Sequence, residues 1–238
     1  LVIKNYKEIL KYNCIFLFEK PLGINFLETK KIYNYSNTYK KKIFISLNRR
    51  FYSSTLLGYK FLKNTRKVPL NIFINDSQDI SRIRRLGLSE RLAKNLMYCN
   101  SIHLLDYINI FIKDKIFSIK NIIKFQKKNP EYVLSYIKFF NGHRVIYKAN
   151  WKYRESWQIK ISSKKINLIF KPLENITVYN PKNLRINKNY DYYDKKYKPG
   201  LYNQSLEILK YFKGENNNLV TFKMYFESVK IVKKIYEN

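Results

Sequence analysis

The chain has 238 residues, with 47 Lys and Arg against 17 Asp and Glu for a formal charge of +30, and it is 45% apolar and 17% aromatic. That length can bury a core, and that apolar content excludes a disordered basic tail, which lacks the surface to offset chain entropy. The charge exceeds what solubility requires, so a polyanion partner is expected.

Lys, Asn, Ile, Tyr and Phe dominate while Gly numbers only six, the amino-acid shadow of an AT-rich gene that points to an organellar or AT-rich microbial genome. Val2 to Leu10 is too short and too charged for a signal h-region. Runs such as CIFLF fall far below the roughly 18 apolar residues of a membrane span. A soluble chain made in the compartment where it works is expected.

From Thr29 to Asn75 there are eleven Lys or Arg and no acid, interleaved with Tyr33, Tyr35, Tyr39, Phe44, Phe51, Tyr52, Tyr59 and Phe61. This pattern suits an arm along a nucleic-acid backbone, cations on phosphates and rings on bases. Residues 1–75 are therefore expected to form a basic N-terminal arm or helical region, with Arg49, Arg50, Arg66 and Lys67 as contacts.

Residues 76–122 read as a compact module. Asp79 caps a helix carrying Ile80, Ile83 and Leu86, Gly87 stops it, and Ser89 caps a second helix. On the second helix Leu92, Ala93, Leu96 and Met97 share one side, with Arg91, Lys94 and Tyr98 opposite. Residues 104–120, LLDYINIFIKDKIFSIK, alternate at Ile108, Ile110 and Ile112, turn at KDK and resume at Ile116 and Ile119, a hairpin signal.

Residues 123–181 are expected to hold a linker helix, its pattern running from Asn121 to Lys138 with a break at Pro130, and a second strand pair over Trp157 to Phe170 ended by Pro172. Residues 182–238 read as a C-terminal extension with a helix at Gln204 to Lys213 and an apolar-patterned segment at Leu219 to Tyr236. Its thin apolar content suggests packing on something else.

Little chemistry can be assembled from these residue types. Cys14 and Cys99 are distant from each other, and His103 and His143 are isolated, so no metal is assigned. Asp79 of the Asp76/Asp79 pair has a capping role, and Asp191/Asp194 lies in a polar loop. No GxxxxGK[ST], GxGxxG, GxSxG or HExxH occurs, and the acidic repeats of an intron-encoded endonuclease are absent. The expectation is a protein without enzymatic activity or cofactor.

Arg85 to Ile119 resembles the RNA-binding module of the small-subunit ribosomal protein S-four family. Arg85-Leu86-Gly87 matches its turn, Ser89 the helix start, Ala93-Lys94-Asn95-Leu96 the helix middle and Ile102 the following strand. KDKIFSIK, Lys113 to Lys120, is similar to its closing strand with Lys113 in place of Gly, and WQIKISSKKINLIFKP, Trp157 to Pro172, to a later strand pair. Gln78, Cys99 and Leu105-Asp106 depart from the family pattern. Gly87 to Ile102 also resembles the helical hairpin of small-subunit protein S-thirteen, whose basic Gly-Gln-Arg-Thr end is missing here.

The expected fold class is thus α+β: a small helix-turn-helix plus β-hairpin RNA-binding module inserted in a mixed helical/β body, with an extended basic N-terminal arm and a C-terminal extension. The resemblance implies a structural protein of a mitochondrial small ribosomal subunit, located in the matrix and organelle-encoded. Its partners would be small-subunit rRNA and neighbouring ribosomal proteins, with mRNA at the entry side and no membrane. Arg82, Arg84, Arg85, Arg91 and Lys94 would contact phosphates, with Lys113, Lys115 and Lys120 at the hairpin edge. The alternatives are an S-thirteen-like protein and a basic accessory subunit of an organellar membrane complex.

Overall fold

The computed structural model describes residues 2–63, 68–87, 89–179, 185–188 and 191–237. A short helix, α1 (Val2–Ile9), precedes a β-α-β unit: β1 (Phe16–Glu19), α2 (Phe26–Thr38) and β2 (Ile43–Ser46), with β1 and β2 parallel and Phe16 opposite Ile43. A parallel pair needs a long crossover, and α2 supplies it. Asn25 starts that helix by accepting from the Glu28 amide at 2.9 Å, while the Glu28 carboxylate accepts from the Ile24 amide at 3.1 Å. Reciprocal capping of this kind satisfies amides that have no partner within the helix.

A 3₁₀ turn (Asn48–Phe51) and α3 (Ser53–Lys63) lead to the second layer. It is an eight-stranded sheet built from β3 (Asn71–Ser77), β4 (Ile116–Ile123), β5 (Tyr132–Phe139), β6 (Arg144–Asn150), β7 (Gln158–Ser162), β8 (Asn167–Phe170), β9 (Ile176–Tyr179) and β10 (Arg185–Lys188). The spatial order is β10-β9-β8-β7-β3-β6-β5-β4. Only β3 and β6 run parallel to each other; every other neighbouring pair is antiparallel.

Between β3 and β4 lie α4 (Ile80–Arg85), α5 (Glu90–Ala93), a π-helical turn (Met97–Ser101) and α6 (Ile102–Phe111). After the sheet come α7 (Tyr192–Lys196), α8 (Leu201–Phe212) and α9 (Phe222–Tyr236). One sheet face is buried at alternate positions, among them Ile72 and Ile74 on β3, Val145 and Tyr147 on β6, and Ile159 and Ile161 on β7. Helices α6 and α9 join that face to the β-α-β unit. Tyr107 of α6 meets Phe170 of β8, Tyr147 bonds Tyr236 of α9 at 2.6 Å, and Phe226 of α9 stacks on Phe26 and Tyr33 of α2.

This architecture corrects the expected fold class. No small helix-turn-helix plus hairpin module stands apart in a mixed body; α4 and α5 instead lie in the connection from β3 to α6 of an α/β chain. The basic segment expected as an arm folds into the β-α-β unit and α3. Residues 102–111, expected as a strand, are α6, which is buried nearly all round. A helix without a solvent face has no amphipathic period, so the spacing of Ile108, Ile110 and Ile112 carries no strand information.

The expected helix over 121–138 is the end of β4, a turn around Pro130, and β5. There Val133, Ser135, Ile137 and Phe139 point inward with a period of two. The segment thought to pack on something else packs inside this chain, since α9 buries Tyr225, Val229, Val232 and Ile235. Other expectations hold: Asp79 and Ser89 cap α4 and α5, Gly87 takes a φ of 66°, and residues 158–162 and 167–170 pair antiparallel.

Candidate functional site

Two parallel strands end side by side, and the residues just past their carboxyl ends are Lys20 after β1 and Asn48 to Arg50 after β2. Open α/β units place ligands in such a crevice because loops and helix N-termini converge there. The π-helical turn brings a third segment to it. The Lys20 ammonium donates to the Cys99 carbonyl, and His103 lies one helical turn further along α6. The wider π turn explains how Cys99 offers its carbonyl sideways, since an extra residue in the turn frees carbonyls from the regular ladder.

The surrounding hydrogen bonds hold this geometry. Arg50 donates twice to Asp106 at 2.6 Å, and Ser228 of α9 donates to the same carboxylate at 2.6 Å. Asp76 accepts from Tyr147 at 2.6 Å and from Gln78 at 2.5 Å, and Gln78 accepts from Asn100 at 2.9 Å, which anchors the π turn to β3. Burial raises the Asp76 pKa against these hydrogen bonds.

The electrostatics are dominated by burial and by positive charge. Burial first, then the charges of Arg49 and Lys198, lower the Lys20 ammonium to about 8. Burial drives His103 well below the ordinary imidazole value, with Arg49, Lys20 and Lys198 acting in the same direction. His103 is therefore neutral, and its buried Nδ1 has no hydrogen-bond partner among the described residues. Burial also pushes the Cys99 thiol up to about 11, so it is not a thiolate at neutral pH.

The Arg49 guanidinium lies over the Trp157 ring at 4.9 Å. Trp157 is shared by two cavities. One of about 530 Å³ reaches Cys99, Asn100, Arg82 and Arg154, and one of about 360 Å³ reaches Arg49, Lys171 and Glu174. Both helix N-termini beside the crevice are filled from within the chain. The Asn25 side chain caps that of α2 by accepting from the Glu28 amide at 2.9 Å, and the Asp194 carboxylate accepts from the Ser53 amide of α3 at 2.8 Å.

The twelve sequence-predicted contacts do not form one face. Arg84 pairs with Glu90 at 2.6 Å, Arg85 approaches Asp79 at 3.9 Å, and Arg91 is bound to Glu28. Arg50 is a buried structural partner of Asp106. Lys113 and Lys115 line a cavity of about 840 Å³ against α9, Lys94 is exposed beside Phe125, and Lys120 is exposed on β4. Arg66 and Lys67 lie outside the described residues. Of the ten described, only Arg49 and Arg82 line the cavities at Trp157.

Lys20, Cys99, His103, Trp157 and Lys198 were not legible as a site. The available signals were an apolar run ending in Glu-Lys-Pro, and a histidine three residues before an aspartate in an otherwise apolar stretch.

No family model and no curated protein matches the sequence. Solved structures do match its fold. A UDP-N-acetylglucosamine 3-dehydrogenase from Acidithiobacillus ferrooxidans is similar with a TM-score of 0.74 at 10% identity, over 99% of this chain and 74% of that one. A dehydrogenase from Chromobacterium violaceum gives 0.75 at 13%, over 98% and 72%. A super-repressor mutant of Gal80p from Saccharomyces cerevisiae gives 0.74 at 13%, over 99% and 75%. These matches overturn the S-four resemblance, and with it the structural rRNA-binding role, the non-enzymatic assignment and the rRNA and ribosomal-protein partners. A Rossmann-like unit joined to a mixed β-sheet domain, as in these solved structures, is the fold of this chain.

Proposed function

We propose that this chain is the substrate-binding part of an oxidoreductase acting on a small hydroxy or oxo compound, with Lys20 carrying the proton at the substrate oxygen. The fold does not choose this reading alone, because a dehydrogenase and a protein with a super-repressor mutant share it. The Lys20 amine carries it: half-buried, at the carboxyl end of a parallel strand, with its pKa lowered to about 8.

A hydroxyl group becomes a carbonyl by losing its proton from oxygen and a hydride from carbon. Lys20 as the amine accepts the proton, and as the ammonium returns it in reverse. A group whose pKa lies near ambient pH does both efficiently. His103, kept neutral, offers the substrate a hydrogen bond without adding charge.

The fold family implies a nicotinamide dinucleotide, and the residues here do not fit its pyrophosphate. That group needs a glycine-rich turn and a vacant helix N-terminus. No two of the six glycines are spaced for G-x-G-x-x-G, and Asn25 and Asp194 cap the helix N-termini beside the crevice. The residues present account for substrate binding and for the proton, and the hydride would pass to an acceptor held outside these residues.

Nitrogen-detected NMR of the Lys20 ammonium tests the reading. The expected result is a titration midpoint near 8 that moves when an oxo compound is added, and loss of that compound's binding in Lys20→Met. A midpoint near the free-lysine value of about 10.4, with unchanged binding in Lys20→Met, would overturn it.

A further inference from the structure

The cavity of about 840 Å³ between α9 and the α6–β4 connection shares no lining residue with the two cavities at Trp157. Along α9 it runs from Met224 to Lys234, about 15 Å at the rise of an α-helix. Its walls are largely apolar: Ile112, Phe139 and Ile231 are buried, and Ile116 and Met224 half-buried.

Arg50 also lines this cavity, with its side chain only 9% exposed. A guanidinium carries five N–H donors. Two of them are on the Asp106 oxygens at 2.6 Å, and the others have no partner among the described residues. Asp106 accepts from Ser228 as well, at 2.6 Å, so the guanidinium is fixed in place with part of its N–H edge unused.

The carboxylates of the lining cannot use that edge. Asp114 accepts from the Lys115 and Asn141 amides at 2.8 and 2.7 Å, and Glu227 accepts from Lys230 at 2.8 Å. Lys115 and Lys234 are exposed at the rim and form no ion pair among the described residues, while Lys233 lies over the Phe26 ring at 4.2 Å. The cavity therefore offers hydrocarbon walls, charged donors and no free carboxylate. A sugar or nucleoside would leave its own donors unpaired against such walls, at a cost for each. A hydrocarbon chain with one anionic head would not.

We infer that this cavity is a binding site for a medium-chain fatty acid. The carboxylate accepts from the unused Arg50 edge, and the chain displaces water along Ile112, Ile116, Phe139, Met224 and Ile231. Lys115 and Lys234 raise the local concentration of the anion.

Titration calorimetry on the full chain, below micellar concentrations, tests this with dodecanoate, whose extended length is close to that of the cavity. Octanoate, four methylenes shorter, should bind at least about tenfold more weakly, since each buried methylene contributes about fourfold. Dodecyltrimethylammonium, with the same chain and the opposite charge, should not compete. Met224→Trp, which fills the cavity, should abolish dodecanoate binding. Lys115→Gln with Lys234→Gln, two exposed changes that leave packing intact, should weaken it about fivefold, and added salt should act in the same direction. Failure of dodecanoate to bind, competition by the cationic surfactant, or an unchanged affinity in either variant would overturn the inference. Displacement of dodecanoate by a Glu-rich amphipathic peptide at lower concentrations than octanoate requires would also overturn it, in favour of a protein partner.

Discussion

Lys20 owes its lowered pKa first to burial and next to Arg49. The folded value of about 8 lies below the unfolded value of about 10.4, so between them the unfolded chain binds more protons and stability rises with pH. Below about 8 the cost of the buried charge is fully present. Lys20→Met should therefore be more stable than the native chain at pH 7 and should lose the rise between pH 8 and 10, as read by urea denaturation at both ends. Arg49→Gln should move the Lys20 midpoint upward, because it removes a like charge. Gly200 gives a second residue-level expectation. Its φ of 78° and the 2.1 Å approach to Asn48 oxygen make Gly200→Ala costly, by more than about 2 kcal/mol. Gly214, with φ 72° and nothing within 4 Å, isolates the backbone strain, and Gly214→Ala should cost only about 1–2 kcal/mol. Thermal melts of the two variants separate clash from strain.

Among the elements, the 3₁₀ turn, α6 and α9 meet at one buried carboxylate. Arg50 and Ser228 both donate to Asp106, with side-chain exposures of 9% for Arg50 and 3% for Asp106. Removing one partner strands a buried charge, so Arg50→Met or Asp106→Asn should each cost about 3–5 kcal/mol. Replacing both, as Arg50→Met with Asp106→Leu, should recover much of that loss, a double-mutant cycle readable by denaturation. The α4–α5 hairpin behaves oppositely. No residue of α4 is buried, so Ser89→Ala, which removes a cap worth about 1 kcal/mol, should speed hydrogen exchange across 80–94 and leave the global midpoint almost unchanged. The local signals of this hairpin were fully legible: a side-chain oxygen at each start and a left-handed glycine between them. Its partner was not, because two capped helices around a glycine recur in many folds. That is why Arg85 to Ile102 could match a ribosomal module without belonging to one.

At the level of the molecule, α9 holds the layers together. Its Tyr236 reaches Tyr147 in the sheet, while Phe226 stacks on Tyr33 with centroids 4.4 Å apart. Phe226→Ala should cost about 3–5 kcal/mol and loosen the β-α-β unit first, seen as exchange in α2 before the sheet. The charge of +30 proved a poor guide to one shared binding face. Several of the Arg and Lys singled out from it are paired with Glu or Asp, and Arg50 is part of the core.

Signals that act within about four residues were readable directly: the Asp79 and Ser89 caps, the Gly87 stop, the two-residue alternation over 158–170, and the capacity of 238 residues to bury a core. Pairing and convergence were decided only by the folded chain. β1 and β2 are joined across α2, α6 is helical because its surroundings bury it nearly all round, and Lys20, Arg49, Cys99 with His103, and Lys198 come from four separate stretches. Local hydrogen bonds are written into neighbouring residues. The burial that sets α6 and the pKa of Lys20 depends on contacts far apart in the chain, and so exists only once the layers have closed.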